Sequence, residues 1–277
     1  MPTEFFHSGD ALFLLAHPDD EFGCFESIRR TVESGHRAII VFLTNDAKRP
    51  DTRARREAES RSVLASLGVD PQCILFVGGE LDIPDSELHN HLTVAWRGLR
   101  TIFQVEQTIS TVYVPAWEGG HHDHDAVHAL GVLATEVWAP NAATYQFPLY
   151  NSFRIPHPFF RVLYPLSANG QLIRVRISFR HRLRYIGLCM NYPSQRKTWV
   201  GLLPFVAPKL LFKGAYSVQP TDRKRLFERP HLGSLFYERR GWLSWDVFEA
   251  NLKDLISIIR RETDTTVEHI EQKVPPA

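Results

Sequence analysis

The sequence predicts an α/β protein with a Rossmann-like, doubly wound and mostly parallel sheet, followed by an irregular α+β extension. Three observations support this prediction. Short apolar runs alternate with amphipathic stretches through residues 1–150, as βαβ units require. Clusters of His and Asp stand directly after two of these apolar runs. From Pro148 onward proline becomes frequent and the alternation stops.

The first half contains five predicted strands and four predicted helices. The strands are residues 11–16, 38–43, 73–77, 111–114 and 143–147. The helices between them are residues 22–34, 52–67, 87–107 and 123–138. Asp51 and Thr52 are suited to cap the second helix, and Gly68 is suited to end it. Right-handed crossovers and a strand order near 3-2-1-4-5 follow from this alternation.

Residues 151–277 are predicted to pack on the Rossmann-like core of residues 1–150, within one structural domain, and to shape the functional site. Further strands are expected at 159–164 and 172–179, and further helices at 182–191 and 246–261. The segment 202–213 combines apolar residues with two lysines. It suits a strand or turn packed in the core, or a lip that meets a lipid-linked or polymeric substrate.

Composition is that of a soluble globular protein, with 44% hydrophobic and 23% charged residues in a chain of 277. No apolar stretch approaches the roughly 18 residues that span a bilayer. Residues 1–7 do not resemble a signal peptide. Three cysteines without CxxC spacing argue against a disulfide framework. These features predict a cytoplasmic protein, with peripheral contact to a membrane left open.

Charge is distributed unevenly. Residues 1–140 hold 11 Lys and Arg against 21 Asp and Glu, a net −10, whereas residues 141–277 hold 21 against 10, a net +11. The two halves could attract each other or be solvated separately. Alternatively, the basic half faces a phosphate-bearing substrate or a membrane surface, and Arg180, Arg182 and Arg184 are candidates for such contacts. We predict no nucleic-acid partner.

Two charged clusters point to a metal. His17, Asp19, Asp20 and Glu21 follow the first predicted strand, and a run of His and Asp at 121–125 follows the fourth. Clustered like charges repel and lose hydration at a cost, so a cation among them is expected. In the order 3-2-1-4-5 strands 1 and 4 are neighbours, and ligands bind where their carboxyl ends meet. The alternative is that these residues are helix caps and solvated loop groups.

Imidazole and carboxylate together suit zinc, with three protein ligands and an open position for water, although another divalent metal would also fit. His17 and Asp20 can turn toward one point, and His124 can supply a third ligand. Asp19 would then stand close enough to take a proton from water. His121 could stabilise an oxyanion or protonate a leaving amine. Such a set belongs to a hydrolase of amides or esters.

His128 is a competing ligand, because it lies four residues after His124 on the same helical face. The pair lacks the Glu that follows the first His in metalloproteases with this spacing, since Asp125 stands there. We therefore expect His128 to pack or to support the site.

The sequence Ala-His-Pro-Asp-Asp-Glu at 16–21, with Gly-His-His-Asp-His at 120–124, resembles the PIG-L/LmbE family of zinc-dependent N-deacetylases. Members of that family remove acetyl groups from N-acetylglucosamine linked to a lipid, an inositol, a small acid or a peptide antibiotic. The resemblance implies the zinc ligands His17, Asp20 and His124. It also implies Asp19 as general base and His121 as the group that stabilises the transition state or protonates the leaving group, with Asp123 orienting it.

Weaker similarities and one departure accompany this match. Residues 56–59, Arg-Glu-Ala-Glu, are similar to a family segment whose Arg contacts substrate, which implies a substrate-binding role for Arg56. Residues 192–195 resemble a C-terminal element of the family. Some relatives place a Tyr where this chain has Gly119. His121 and zinc would then stabilise the oxyanion, unless a tyrosine from elsewhere reaches the site.

The sequence therefore predicts a zinc-dependent hydrolase that removes an N-acetyl group from an N-acetylglucosamine-type conjugate, either a small molecule or a lipid- or carrier-linked amino sugar. One alternative is a metal-dependent amidase with a non-sugar substrate. Another is a non-catalytic sugar- or nucleotide-binding relative, which Asp19 argues against because a binding protein needs no general base.

Overall fold

A computed structural model describes residues 9–45 and 50–271, so residues 1–7, on which the signal-peptide prediction rests, lie outside the described part. A seven-stranded sheet with the order β3-β2-β1-β4-β5-β9-β8 forms the centre. Its first five strands pair in parallel. They are β1 Asp10–Leu15, β2 Ala38–Phe42, β3 Ile74–Leu75, β4 Ile109–Pro115 and β5 Ala143–Phe147. The predicted fold class and strand order are confirmed.

Helices connect these strands as predicted, with two local differences. They are α1 Phe25–Glu33, α2 Pro50–Ser66, α3 Val77–Glu80, α4 Leu92–Val105 and α5 His122–Trp138. A separate 3-10 helix, Asp20–Gly23, precedes α1. The third strand is shorter than predicted because Val77 already begins α3. A Cβ on Gly78 would lie 2.2 Å from the backbone nitrogen of Thr44, so only glycine allows the chain to pass so close to the end of β2.

The C-terminal part extends the same sheet. β9 pairs antiparallel with β5, and β8 pairs antiparallel with β9. Its strands are β6 Tyr150–Asn151, β7 Arg161–Val162, β8 Ile173–Arg176 and β9 Ala215–Pro220. Its helices are α6 Phe179–Cys189, α7 Arg196–Pro208, α8 Phe236–Arg239 and α9 Trp245–Glu271, with a π-helix at Lys209–Lys213. The predicted division at residue 150 stays a prediction.

One expectation for the basic half needs correction, and two of its candidate arginines have partners within the chain. The strand or turn expected at 202–213 is wrong, because α7 and the π-helix occupy it. The buried side chains Trp199, Leu202, Val206 and Leu210 recur at the three-to-four-residue spacing of a helix. Of the three candidate arginines, Arg182 donates hydrogen bonds to the carbonyls of Ile177 and Leu211, and Arg184 donates to the carbonyl of Ser66.

Helices cover the sheet in two groups. α4, α5 and α9 contact one another, whereas α1 contacts α6 through Phe25 and Tyr185, and α2 contacts the segment that leads into α7. Every apolar side chain of β1 is fully buried. Within the described ranges no helix is both long and apolar enough to cross a membrane.

Candidate metal centre

The first charged cluster lies where β1 ends and is shaped by its own carboxylates. Asp20 Oδ2 accepts the backbone N–H of His17 at 2.8 Å, and Glu21 Oε2 accepts that of Asp19 at 2.8 Å. Asp19 has a backbone φ of 107°, a conformation that residues other than glycine rarely adopt. These two bonds hold the strained turn and place the Asp19 and Asp20 carboxylates on the buried side of the chain.

The second cluster begins α5. His121 is the N-cap residue, and its Nδ1 accepts the backbone N–H of Asp123 at 3.1 Å. The loop before it is held by Asp125 Oδ1, which accepts the backbone N–H groups of Glu118 and Gly119, each at 3.2 Å. The buried Asp125 carboxylate therefore stabilises the loop that precedes α5. Since the Asp123 N–H occupies Nδ1, the neutral His121 ring carries its proton on Nε2.

The two clusters meet at the carboxyl ends of β1 and β4. His124 Nε2 lies 3.0 Å from Asp20 Oδ1, and His17 Nδ1 lies 3.5 Å from Asp20 Oδ2. One donor atom from each of these three buried residues lies within 4.8 Å of the other two. Two imidazoles and one carboxylate so placed fit a zinc-type cation with further positions open. The sequence-predicted ligand candidates thus come together in space.

A second metal-capable group adjoins the first and shares His17. His17 Nε2 lies 3.0 Å from Asp123 Oδ2 and 3.1 Å from Asp85 Oδ1, and His121 completes the group. The Asp123 carboxylate also accepts the backbone N–H groups of Ser86 at 2.7 Å and of Leu88 at 3.1 Å. Its Oδ2 is 3.9 Å from His121 Nδ1, so Asp123 contacts His121 through its backbone N–H.

Arg56, on α2, is buried beside the first cluster. Its Nη2 donates to the Pro18 carbonyl at 2.8 Å and lies 3.6 Å from Asp19 Oδ1. With its amide oxygen turned toward the guanidinium, Gln195 accepts a hydrogen bond from Arg56 Nη1 at 2.6 Å. The two weaker sequence similarities, at 56–59 and at 192–195, therefore meet in space next to Asp19.

The buried charges differ in how readily they ionise. Burial raises the pKa of Asp19 to about 8 against the opposing charge of Arg56, and the neighbouring carboxylates of Asp20 and Glu21 add to the rise. Burial also opposes ionisation of Asp20, but His124 and His17 outweigh it and lower its pKa. Burial lowers the pKa of His121. Adjacent carboxylates in one turn thus have opposite proton affinities.

Three residues at the site carry no recognisable sequence signal. Asp85 is one of several acids in an irregular loop, Tyr150 is the last residue of the predicted core, and Trp242 is one of many aromatics in the extension. The Tyr150 ring lies edge-on to His124 at 5.4 Å between centroids, and the Trp242 ring lies 5.2 Å from that of His121. Tyr150, which belongs to another element, therefore lies close to the site, whereas position 119 of this chain is a glycine.

His128 takes a different place from the ligand candidates. Its Nδ1 is hydrogen-bonded to the Pro115 carbonyl at 2.8 Å, and its side chain is fully buried. It belongs to none of the metal-capable groups found among the described residues. His122, the third histidine of the cluster, is bonded through Nε2 to the Ser86 carbonyl at 2.8 Å.

Fold and site together define an α/β protein with a His- and Asp-rich candidate cation site at the switch point of a parallel sheet. Residues 12–135, which contain both clusters, match the PIG-L family model, described as GlcNAc-PI de-N-acetylase. This segment of the chain is a PIG-L family domain. No curated protein sequence matches the chain.

Several solved structures, among them two of deacetylases, share the fold. The zinc-inhibited form of teicoplanin deacetylase Orf2 has a TM-score of 0.59 and 15% identity, over 77% of this chain and 98% of that one. N,N'-diacetylchitobiose deacetylase from Pyrococcus horikoshii has a TM-score of 0.58 and 16% identity, over 83% and 88%. A conserved protein from Thermus thermophilus, TT1542, has a TM-score of 0.51 and 21% identity, over 76% and 92%.

Proposed function

We propose that the protein is a zinc-dependent N-deacetylase that removes the acetyl group from an N-acetylglucosamine-type conjugate. The observation that supports this most directly is the convergence of His17, Asp20 and His124 beside Asp19 within a PIG-L domain. Two proteins of similar fold are named as deacetylases, of teicoplanin and of N,N'-diacetylchitobiose. A cytoplasmic location and contact with the inner membrane face stay predictions.

His17, Asp20 and His124 would hold the metal. All three are buried, whereas Asp85 of the adjoining group has a side chain 40% exposed, and Asp123 is already engaged by two backbone N–H groups. A divalent ion such as Zn²⁺ supplies, when bound, a water of lowered pKa and a Lewis acid for the acetamide carbonyl.

In this proposal one side chain transfers a proton and another donates a hydrogen bond. Asp19 takes the proton of the attacking water, and the neighbouring Arg56 holds the Pro18–Asp19 turn in place. His121 donates a hydrogen bond from Nε2–H to the developing oxyanion, because its Nδ1 is occupied, and Asp19 then gives the proton it took from water to the leaving amine. The Tyr150 hydroxyl is a candidate for a second donor to the carbonyl oxygen, because the Tyr150 ring lies 5.4 Å from that of His124.

Aromatic side chains support a carbohydrate substrate. Trp242 is 48% exposed and neighbours Phe236, whose ring lies 6.0 Å away, and Phe236 in turn contacts Tyr150 at 5.7 Å. This row begins beside His121 and ends beside His124. An exposed indole offers the flat apolar surface against which the C–H face of a pyranose ring packs.

A substrate panel tests the proposal. N-acetylglucosamine, its phosphate- and lipid-linked conjugates and simple N-acetyl amides are scored for released acetate, with chelator and after zinc is restored. We expect release from an amino-sugar conjugate that stops with chelator and returns with zinc. Equal release from simple amides would identify a non-sugar amidase, and binding without release would identify a non-catalytic relative.

Metal occupancy separates the two adjoining groups. We expect His124→Ala to lose most of its zinc by elemental analysis, because only the proposed ligand set contains His124. Asp85→Ala is the matched control and should retain zinc. The opposite result, with zinc lost from Asp85→Ala and kept by His124→Ala, would move the metal to the group formed with His121 and Asp123.

A further inference from the structure

A cavity of about 550 Å³ lies in the C-terminal half, between β8, β9, the segment 163–172 and the π-helix. Its size is that of a small-molecule site. None of the residues that line it belongs to any of the three metal-capable groups among the described residues, so it is separate from the candidate metal centre.

The charged residues that line this cavity are all cations: Arg174, Lys209 and Lys213. Lys209 and Lys213 lie 5.0 Å and 5.9 Å from the centroid of the Tyr164 ring, where Arg161 lies at 4.4 Å. Among the residues that the structure describes, none of these four cations has a carboxylate partner within 4.0 Å. By contrast, Arg29 and Arg37 each bind two carboxylates.

Cations that lie close together without a carboxylate partner repel one another. The Lys209 ammonium donates hydrogen bonds to the carbonyls of Val162, at 2.7 Å, and Leu163, and is held in place by them. Burial lowers the pKa of Lys209 to about 7, and the nearby charge of Lys213 lowers it further against the attraction of Glu118. A group of like charges in a cavity is explained most simply by a ligand of opposite charge.

The remaining walls indicate what else that ligand carries. Leu163, Leu166, Leu172 and Leu210 supply apolar surface, and Ser167 and Ser217 supply hydroxyls. Arginine and lysine together favour a phosphate, because a dianion compensates more of the positive charge than a carboxylate does. We propose that this cavity is a second ligand site, which binds a phosphate monoester carrying a short apolar group.

Calorimetric titration with hexyl phosphate and with inorganic phosphate, at constant ionic strength, tests the site. We expect one hexyl phosphate per chain and weaker binding of inorganic phosphate, because the apolar wall adds affinity. Arg174→Gln and Lys213→Gln should each weaken hexyl phosphate binding roughly tenfold, the usual loss of one charge-assisted contact. Arg176→Gln removes the same charge from the same strand without touching the cavity, and should bind within about twofold of the parent.

A thermal-unfolding readout guards against misfolded variants. Without phosphate, Lys213→Gln should unfold at the parent temperature or above, because it removes repulsion, and with hexyl phosphate it should be stabilised less than the parent. Absence of hexyl phosphate binding, or equal losses in Arg176→Gln, would overturn the proposal. So would binding that disappears with chelator, since the phosphate would then occupy the metal centre. None of these readouts depends on deacetylase activity.

Discussion

At the scale of single residues, Asp19 has both an unusual backbone conformation and a chemical role in the proposed reaction. Its φ of 107° is tolerated best by glycine, asparagine and aspartate. Its backbone N–H is held by Glu21, and its carboxylate faces Arg56. A turn that stores strain and is held by buried side chains is typical of a functional position.

Asp19→Asn should separate catalysis from structure. Asparagine adopts positive φ readily, so the turn should keep its shape while the proton acceptor is lost. We expect zinc content equal to that of the parent and a kcat lower by about 10²–10⁴-fold, the usual contribution of such a group. Elemental analysis and acetate release measure the two effects. A near-normal kcat would remove Asp19 from the proton-transfer role.

Trp242→Ala should weaken substrate binding more than turnover. The indole is 48% exposed beside His121, where it can pack on a sugar ring but takes no part in the chemical step. We expect KM to rise about tenfold, from lost apolar contact, with kcat changed little. Phe227→Ala, at the same 48% exposure elsewhere, is the control. If both variants raise KM equally, Trp242 is not part of the binding site.

At the scale of elements, one buried carboxylate connects the loop after β4 to the short strand β6. Glu118 Oε1 accepts the backbone N–H groups of Leu149 at 2.6 Å and Tyr150 at 2.9 Å, and Oε2 accepts Asn151 Nδ2 at 2.9 Å. Burial raises the pKa of Glu118 to about 7 from 4.5. Glu118 thereby places Tyr150 next to His124.

This raised pKa predicts a pH dependence of stability. Between pH 4.5 and 7 the folded state binds the Glu118 proton more tightly than the unfolded state does. The contribution to stability is therefore complete below pH 4.5 and is lost as pH rises through 7, by roughly 3 kcal/mol at most. Glu118→Gln should reduce the fall in unfolding free energy between pH 5 and 8, as measured by urea denaturation.

Glu80→Gln provides the control for this measurement, because Glu80 is exposed and its substitution should leave the pH dependence as in the parent. If Glu118→Gln and Glu80→Gln give the same curve as the parent, Glu118 does not titrate in this range in the folded protein.

At the scale of the whole molecule, an acidic half with net charge −10 and a basic half with net charge +11 share one sheet through the pairing of β4 with β5. If the aglycone of the substrate is anionic and lies along the basic half, its binding depends on ionic strength. Charge interactions at a wet surface are screened within about 8–10 Å at physiological salt.

Steady-state kinetics at low and high salt test this arrangement. For a phosphate-linked conjugate we expect KM to climb with salt more than kcat falls. Free N-acetylglucosamine should be a poor and nearly salt-independent substrate. Equal kcat/KM for both compounds at both salt concentrations would exclude the basic half from substrate recognition.

Much of the proposed ligand set follows from the sequence pattern alone. His17 and Asp20 follow one strand and His124 follows the loop after another, and in the predicted order these strands are neighbours. Asp85 and Trp242 could not be inferred in this way. Each is a single residue in an irregular segment, and no periodicity links such a segment to a particular edge of the sheet.

The basic half gives a second example of what the sequence could not predict. Its net charge is evident from the sequence, but the partners of Arg182 and Arg184, which donate to backbone carbonyls, are not. The cations that share a cavity are Arg174, Lys209 and Lys213, which come from a strand and a π-helix distant along the chain.

The sequence by itself determined the parallel α/β fold and the meeting of the two clusters, because hydrophobic periodicity is a local property and right-handed crossovers leave few strand orders. Only the tertiary structure decided which ring nitrogen of His121 carries the proton, which loop reaches the Asp123 carboxylate, and which cations share a cavity. These depend on packing between segments far apart in the chain, where energies of individual contacts, and not local pattern, select the neighbours.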